Sequence, residues 1–282
     1  MTPMLYWQLI NNMPNLTLIT PTYNSAKTLE DTLDSVVTQM QNYPALVQDS
    51  NFEYIIIDGA STDGTQEIVK KYQNKFPALN IKLISEPDKG IFDAMNKGIK
   101  MATGDIVGIL NSDDFFYSPN VLSKIVQVFA NNPEVDAVYG DLAYVDNNDI
   151  NKQTRYWKAG EYAEEKLNWG WSIPHPTFFV RRKIYEKLIE KDNRIFDTTL
   201  AISACYELTF RLLKIYKIKV KYLPEILVTM RDGGTSASSL GHRITGWIEQ
   251  RRVWKINNLP APPFFITRRL AHKIWQFIRL HK

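Results

Sequence analysis

The sequence predicts an α/β fold in which a mainly parallel central sheet is flanked by helices. Through the first half of the 282-residue chain, short runs of branched apolar residues alternate with stretches of helical spacing. The runs carry too few polar residues to face water on one side, which is typical of parallel strands buried on both faces. Repeated strand–helix alternation is the pattern of a doubly wound sheet.

The predicted elements follow one another closely up to Gly140. Strands are predicted at 16–20, 54–57, 81–85, 106–110 and 135–139. Helices are predicted near 29–36, 65–72 and 93–102, and from the capping pair Ser118-Pro119 to Phe129. Beyond Gly140 the pattern loosens, with strands at 155–158, 177–180, 220–223 and 226–230 and helices near 183–189 and 206–215.

Composition limits the classes of protein to consider. The hydrophobic content of 44% supports a folded core. A single cysteine, Cys205, excludes an intramolecular disulfide and a cysteine-based zinc site, and it fits a reducing compartment. No run reaches membrane-spanning length, and the first ten residues are too short and lack the basic residue of a secretory signal. We therefore expect a cytoplasmic protein.

The charge is unevenly distributed, because residues 250–282 contain eight of the 34 basic residues and no acid. We expect 1–240 to form one globular domain and 241–282 a basic amphipathic helical extension. Its apolar residues recur at helical spacing at Ile266, Leu270, Ile274, Phe277 and Ile278. A helix of this kind binds anionic bilayers, so residues 264–282 predict peripheral attachment to the inner face of the cell membrane. A helix that docks onto the body or onto another subunit would show the same spacing of apolar residues. Nucleic acid is not expected, because 1–249 carries more acids than bases.

An acidic loop follows the predicted strand 106–110, with the sequence Asn111-Ser112-Asp113-Asp114. Ligands of parallel α/β sheets bind at the carboxyl ends of the strands, so these side chains would face a crevice. Mg²⁺ and Mn²⁺ take oxygen ligands and typically join one or two carboxylates to a substrate diphosphate. The alternative is a loop aspartate that caps the next helix.

Several ordered motifs together resemble one family, the family 2 inverting glycosyltransferases with a GT-A fold. The matching pieces are ITPTYN at 19–24, IDGASTDGT at 57–65, EPDKGIFDAMNKG at 86–98, NSDD at 111–114, HPTFFVRR at 175–182, FD at 196–197 and MRDGG at 230–234. Each piece is weak alone, whereas the ordered set covers roughly residues 15–240. The resemblance implies a nucleotide-sugar half at about 15–115 and an acceptor half at about 116–240.

The resemblance also implies which residues bind the nucleoside diphosphate sugar, with UDP-sugar as the expected donor. The turn Pro21-Thr22-Tyr23-Asn24 is similar to the uridine platform of the family, and Asp58 to the acid that hydrogen-bonds the base. Asp88 and Lys89 match positions that contact base and diphosphate, and Gly90 permits close backbone approach. The remaining expected donor contacts are Asp93, Asn96, Asn111, Ser112 and Arg231.

In the family the acidic triplet usually begins and ends with aspartate, whereas here Asn111 holds its first place. Asp113 is therefore the expected ligand for Mn²⁺ or Mg²⁺, and Asn111 is expected to contact ribose or sugar through its amide. Arg231 lies in a glycine-rich loop, 231–236, that suits a mobile cover over the diphosphate. An ordinary surface turn and a structural aspartate are the alternatives.

On the acceptor side the resemblance points to His175, and Trp171 is a candidate for stacking against an acceptor sugar, as is Trp169. Core packing and structural hydrogen bonding are the alternatives. Relatives usually carry an aspartate base at the position held here by Cys205, and a neutral thiol is a poor replacement. Glu207 would be a substitute only if the helix began later than expected, since two residues along a helix turn a side chain by roughly 200°.

The expected activity is metal-dependent inverting transfer of a sugar to a hydroxyl of a glycan or a lipid-linked saccharide. The alternative is a catalytically impaired relative that binds nucleotide-sugar or serves as a scaffold. A nucleotidyltransferase is disfavoured, because no glycine-rich, arginine-containing first loop is present.

Overall fold

The computed structural model describes residues 14–46, 51–233 and 240–269. Strands within this part form one sheet. They are β1 (Leu16–Thr22), β2 (Phe52–Asp58), β3 (Ile81–Ser85), β4 (Ile106–Ile109), β5 (Phe115–Phe116), β6 (Ala137–Val145), β7 (Gln153–Trp157), β8 (Phe179–Arg181) and β9 (Val220–Arg231). The helices are α1 (Leu29–Asn42), α2 (Thr65–Lys75), α3 (Ile91–Met101), α4 (Val121–Asn131), α5 (Arg182–Asp192), α6 (Ala204–Phe210) and α7 (Leu240–Ile256).

The predicted parallel half of the sheet is confirmed. Its strands lie in the order β3-β2-β1-β4, and every neighbouring pair is parallel. Beyond β4 the sheet becomes mixed, since β8 pairs antiparallel with both β4 and β6. The parallel pair β6 and β9 follows, with β7 antiparallel beside β6 and β5 antiparallel beside β9. The carboxyl ends of β1, β2 and β4 therefore meet at one edge.

Apolar side chains fill both faces of this sheet. On one face Leu33 of α1 and Ile125 of α4 pack against strand residues such as Leu18. On the other face Met95 of α3 and Leu208 of α6 pack against the opposite side of the same strands. Strands buried on both faces explain why their sequences are continuously apolar rather than alternating.

Two boundaries differ from the sequence prediction for identifiable physical reasons. Strand β6 continues through Gly140, where a Cβ would lie 2.6 Å from the side chain of Leu227 and 2.8 Å from the carbonyl oxygen of Glu225. The glycine permits close approach of β9, so it prolongs the strand instead of ending it. Helix α4 begins at Val121 rather than at the pair 118–119. The carbonyl of Ser118 instead accepts a hydrogen bond from Gln39 of α1.

The C-terminal segment packs onto the body as far as Arg269. Trp254 lies in the core, with its ring 4.7 Å from that of Phe210 and 5.9 Å from that of Phe265. Arg269 is buried, and its guanidinium donates to the carbonyl of Gly170. Two side chains within the predicted membrane-binding segment 264–282, those of Phe265 and Arg269, are thus buried against the protein.

The remainder of that predicted helix, 270–282, lies outside the described residues, as does 234–236 of the glycine-rich loop. Among the residues described, no helix combines the length and the apolar character needed to cross a bilayer.

Candidate functional site

An exposed aromatic ring lies at the sheet edge where β1, β2 and β4 end. Tyr23 directly follows β1, and 68% of its surface is exposed. It lies beside Gly59, where a Cβ would be 3.2 Å from the Tyr23 ring and 3.3 Å from a carboxylate oxygen of Asp88. A side chain at position 59 would therefore crowd both the Tyr23 ring and the Asp88 carboxylate. A flat aromatic face can stack on a nucleobase, and a carboxylate beside it can accept a hydrogen bond from an N–H of the base.

Asp58 fixes the segments around this space. Its carboxylate is fully buried and accepts hydrogen bonds from the Thr22 hydroxyl at 3.1 Å, the Ser61 backbone N–H at 3.0 Å and the Ser85 hydroxyl at 2.6 Å. The Ser61 hydroxyl is a fourth donor. Pro21 and Thr22 are buried within β1, whereas Asn24 is exposed and its backbone N–H donates to the Ser61 hydroxyl. Asp58 therefore joins the ends of β1, β2 and β3.

The β3–α3 loop and α3 hold the other expected donor contacts. Asp88 forms an ion pair with Lys97 at 2.5 Å. Lys89 is exposed, and its backbone N–H donates to the carboxylate of Asp93 in the first turn of α3, the helix that follows Gly90. Only the side chain of Lys89 in this group is left to extend into solvent.

Asn96 contacts a distant segment of the chain, at Phe196. Its amide oxygen accepts from the backbone N–H of Phe196 at 2.9 Å, and its amide nitrogen donates to the carbonyl of the same residue at 3.1 Å. The Phe196 ring also stacks on Phe92 of α3, with 5.7 Å between centroids. Asn96 thus fastens the loop at 194–203 onto α3.

The acidic loop lies next to the turn that follows β1. The hydroxyl of Ser112 is 2.7 Å from that of Ser25, and its carbonyl accepts from Thr28 at 2.8 Å. Asp114 is fully buried and accepts one hydrogen bond from the Asn111 amide at 2.9 Å. Burial and the neighbouring Asp113 charge raise the pKa of Asp114 well above its usual range. Asp113 is half-buried, and loss of hydration raises its pKa as well.

Two oxygens in this loop are buried without a hydrogen-bond partner, Oδ1 of Asn111 and Oδ1 of Asp114. An unpaired buried acceptor is costly, so such an atom indicates a missing donor. No group of three or more histidine, cysteine, aspartate or glutamate side chains with metal-binding geometry occurs among the residues described. Mg²⁺ and Mn²⁺ do not need one, since they commonly use one or two carboxylates with substrate phosphates. The half-buried Asp113 carboxylate fits that role.

Arg231 ends β9 and lies beside this loop. It is 6% exposed, and its guanidinium donates to the carbonyl oxygen of Asp113 at 2.6 Å and to the carboxylate of Asp31 on α1. Its guanidinium carbon is 5.5 Å from the centre of the Phe115 ring. Both hydrogen bonds are made within the protein, and the side chain is held by two segments, α1 and the loop at 113–115.

A mainly apolar pocket joins His175 and Cys205 behind the acidic loop. Its lining also includes Ile109, Phe178, Tyr185, Phe196, Leu208 and Thr209. Burial lowers the pKa of His175 to about 4 and raises the pKa of the Cys205 thiol to about 12. His175 is therefore neutral, and its Nε2 lies 3.5 Å from the Asn111 amide nitrogen. Neutral Cys205 is a weak base in this environment.

Glu207 points away from this pocket and is fully buried. Its carboxylate accepts from Arg211 at 2.9 Å, from Asn257 at 3.2 Å and from Arg194 at 3.4 Å. A carboxylate with these partners serves as a buried counter-ion. Helix α6 begins at Ala204, so the two side chains at 205 and 207 lie on different helix faces, as the sequence geometry requires.

The two tryptophans expected near an acceptor differ in their surroundings. Trp171 is 4% exposed, donates its indole N–H to the carbonyl of Ala159 and packs edge-on against Tyr139. Trp169 is 48% exposed, with the guanidinium of Arg268 5.2 Å from its ring centre. Trp171 is thus a core residue, and the exposed ring belongs to Trp169.

Local sequence gave no indication of two residues that organise the site. Asp31 is the partner of Arg231, although the two lie 200 positions apart. Glu249 of α7 accepts hydrogen bonds from the backbone N–H groups that precede α6. Both occupy helix positions where an acid usually faces solvent, so only their tertiary contacts identify them.

The chain is similar to known glycosyltransferases. Residues 17–189 match the model of the family described as Glycosyl transferase family 2. A PGL/p-HBAD biosynthesis glycosyltransferase of Mycobacterium bovis (strain BCG / Pasteur 1173P2) is 30% identical over 174 residues, which are 61% of each chain. Glycosyltransferase AglE of Haloferax volcanii is 27% identical over 209 residues, 71% of this chain and 65% of its own. The chain thus spans about three fifths of the first relative's length.

Solved structures share the GT-A fold. TarS residues 1–349 from S. aureus, in complex with UDP-GlcNAc, aligns with a TM-score of 0.58 at 21% identity and covers 90% of this chain and 69% of its own. The mannosyltransferase PcManGT from Pyrobaculum calidifontis, in complex with GDP-Man and Mn²⁺, aligns with a TM-score of 0.62 at 22% identity and covers 95% and 75%. At these identities the likeness establishes the fold alone.

Proposed function

The chain belongs to glycosyl transferase family 2, and we propose that it transfers a sugar from a nucleoside diphosphate, in the first place UDP, to a hydroxyl of a glycan or lipid-linked saccharide. The observation that carries this proposal is the exposed Tyr23 ring against Gly59, at the same sheet edge as the Asp113 loop. This arrangement offers a face for a base and an acid for a diphosphate-bound cation. TarS in complex with UDP-GlcNAc and PcManGT in complex with GDP-Man support a nucleotide-sugar donor.

In this proposal Tyr23 stacks on the base and Asp88 accepts its N–H, while Asp58 holds the surrounding turns. Asn111 directs its unpaired Oδ1 at a hydroxyl of the ribose or the sugar. The exposed Lys89 is free to approach the diphosphate. These roles use a flat ring for the base and hydrogen-bonding groups for the polar parts, as nucleotide recognition requires.

Asp113 holds a divalent cation, Mn²⁺ or Mg²⁺, in the proposed complex. A bound cation of this kind neutralises charge that develops on the departing diphosphate. The chain's own contribution is to keep the Asp113 carboxylate at the sheet edge, where the hydrogen bonds of Ser112 to the β1 turn fix the loop.

We propose an inverting reaction, in which the acceptor hydroxyl attacks from the side opposite the diphosphate and gives its proton to a base. Neither His175 nor Cys205 is well suited to this task, because burial keeps the histidine weakly basic and the thiol protonated. Among its described lining residues the pocket contains no carboxylate. This observation favours slow turnover, and it supports a second candidate function, a nucleotide-sugar-binding relative with little or no transfer activity.

The basic C-terminal segment binds the proposed second partner, an anionic membrane surface. This binding brings the protein close to a lipid-linked acceptor. Phe264 is 78% exposed, and Arg268 lies one turn further along, over the exposed Trp169 ring. Exposed aromatic rings beside arginines are typical of interfacial anchors. Flotation with vesicles that contain anionic lipid tests the proposal. Binding should be lost when the chain is truncated after Pro263, and binding to purely zwitterionic vesicles would contradict it.

The function itself is tested by calorimetric titration of UDP in the presence of Mn²⁺. Asp113→Asn should retain the unfolding temperature of the wild type and lose the Mn²⁺-dependent part of UDP binding. The matched control is Asp149→Asn in an exposed turn. Full Mn²⁺-dependent binding by the Asp113 variant would refute the metal assignment. A thermal-shift panel of nucleotide sugars then identifies the donor. Release of UDP with acceptor present separates the transferase from the inactive binding protein.

A further inference from the structure

A buried arginine connects three segments around the acidic loop. Arg231 ends the last strand, Asp31 lies in the first turn of α1, and Asp113 follows β4. The guanidinium donates from Nη1 to the Asp113 carbonyl and from Nη2 to the Asp31 carboxylate. The contact with the Phe115 ring adds a cation–π interaction on a third side. The side chain is thus held in one orientation.

Burial makes this orientation costly to leave. The Arg231 side chain is 6% exposed and that of Asp31 46% exposed, so the pair lies with its cationic end inside the protein. Removal of the partner of a buried charge strongly destabilises the folded protein, because the charge is left uncompensated. The guanidinium therefore stays with Asp31, and its other arm stays on the backbone of Asp113.

We propose that Arg231 and Asp31 act together as a positioning pair, which holds the Asp113 backbone so that its carboxylate faces the donor diphosphate. The proposal rests on the proposed function, because it takes Asp113 as part of the donor site. Neither member of the pair touches the donor. Asp31 fixes the guanidinium, the guanidinium fixes the Asp113 carbonyl, and the orientation of the Asp113 side chain follows.

The sequence-based interpretation, in which Arg231 clamps the diphosphate, predicts the opposite effect of an Asp31 substitution on UDP binding. If Arg231 turned toward the diphosphate, removal of the Asp31 charge would release the guanidinium and strengthen UDP binding. If Arg231 holds the loop, the same substitution releases the loop and weakens Mn²⁺-dependent binding. Asp31→Asn therefore separates the two roles by the sign of its effect.

Two measurements on the full chain test the pair. Amide hydrogen exchange without any ligand should show faster exchange for 110–117 in Asp31→Asn and Arg231→Ala than in the wild type. Titration of UDP with Mn²⁺ and with a chelator should show that the Mn²⁺ enhancement falls by about tenfold in both variants, equivalent to about 1.4 kcal/mol. Uridine binding should not change. Arg231→Lys, which keeps the charge toward Asp31, should recover part of the enhancement.

The control is Glu30→Gln, which removes the same charge from the neighbouring α1 position, where the glutamate forms an exposed ion pair with Lys71. A purely structural role would lower the unfolding temperature and leave the Mn²⁺ enhancement unchanged, which would overturn the proposal. Tighter UDP binding by Asp31→Asn would overturn it in favour of the clamp. If the wild type binds no UDP, the proposed function fails. Unchanged hydrogen exchange at 110–117 in the two variants would overturn the positioning role independently of UDP binding.

Discussion

Glu249 of α7 provides the most direct test of whether the C-terminal segment is part of the folded body. One of its oxygens accepts from the Ala201 backbone N–H at 2.8 Å, and the other accepts from Ile202 at 3.0 Å and Ser203 at 2.8 Å. These N–H groups precede α6, the helix that carries Cys205 into the pocket. We expect Glu249→Gln to loosen the start of this helix.

The magnitude follows from the three hydrogen bonds. The glutamine oxygen can replace one carboxylate oxygen and keep the bonds to Ile202 and Ser203, whereas its NH₂ group must then face the Ala201 N–H. The orphaned N–H costs about 1 kcal/mol, at the low end of the usual range because Ala201 is exposed. Loss of charge from the two remaining bonds costs about 1 kcal/mol more. A total of about 2 kcal/mol lowers the unfolding temperature by roughly 4–8 °C.

Urea unfolding followed by circular dichroism measures the loss in stability, and alkylation of Cys205 locates it. Because the chain has one cysteine, its labelling rate reports on α6 alone. A local destabilisation of about 2 kcal/mol shifts an opening equilibrium by roughly thirtyfold, so labelling should accelerate by about tenfold or more. The matched control is the exposed Glu67→Gln on α2, which should stay within about 0.5 kcal/mol of the wild type. Equal stability and equal labelling in the two variants would refute the reasoning.

Three further predictions concern the site. Tyr23→Ala should weaken uridine and UDP alike by roughly tenfold in calorimetric titrations, because stacking of a base on an aromatic ring contributes about 1–3 kcal/mol; a loss confined to UDP would contradict the stacking role. Cys205→Asp should raise the rate of UDP release in the presence of acceptor by at least about tenfold and leave UDP affinity unchanged, since it restores a carboxylate base; no increase would place the base elsewhere. Burial lowers the pKa of His175 to about 4, so between pH 7 and pH 5 the histidine takes up a proton in the unfolded chain but not in the folded one. The free energy of unfolding should therefore decrease as the pH falls from 7 to 5. His175→Gln should flatten that part of the profile in urea unfolding, and an unchanged slope would assign it to other groups.

The parallel half of the sheet was predictable because its signals are local. The strand Ile81–Ser85 has the predicted bounds, and β1, β2 and β4 match within a few residues, since each is a continuous apolar run. The strand β5 was missed, because Phe115–Phe116 is too short to show any periodicity. The long strand Val220–Arg231 was predicted as two pieces, since Pro224 interrupts its apolar pattern where the pairing with β6 shifts register.

The motifs by themselves predicted a donor site at the ends of parallel strands, and the structure brings Tyr23, Asp58 and the Asp113 loop to one edge of the sheet. That information is local, because a strand end and its turn residues are adjacent in sequence. Only the tertiary structure decided what those side chains bind. Asn96 pairs with the Phe196 backbone and Arg231 with Asp31, contacts that span 100 and 200 positions. Hydrogen-bond partners at such separation are selected by the packing of whole elements, and no periodicity in the sequence encodes them.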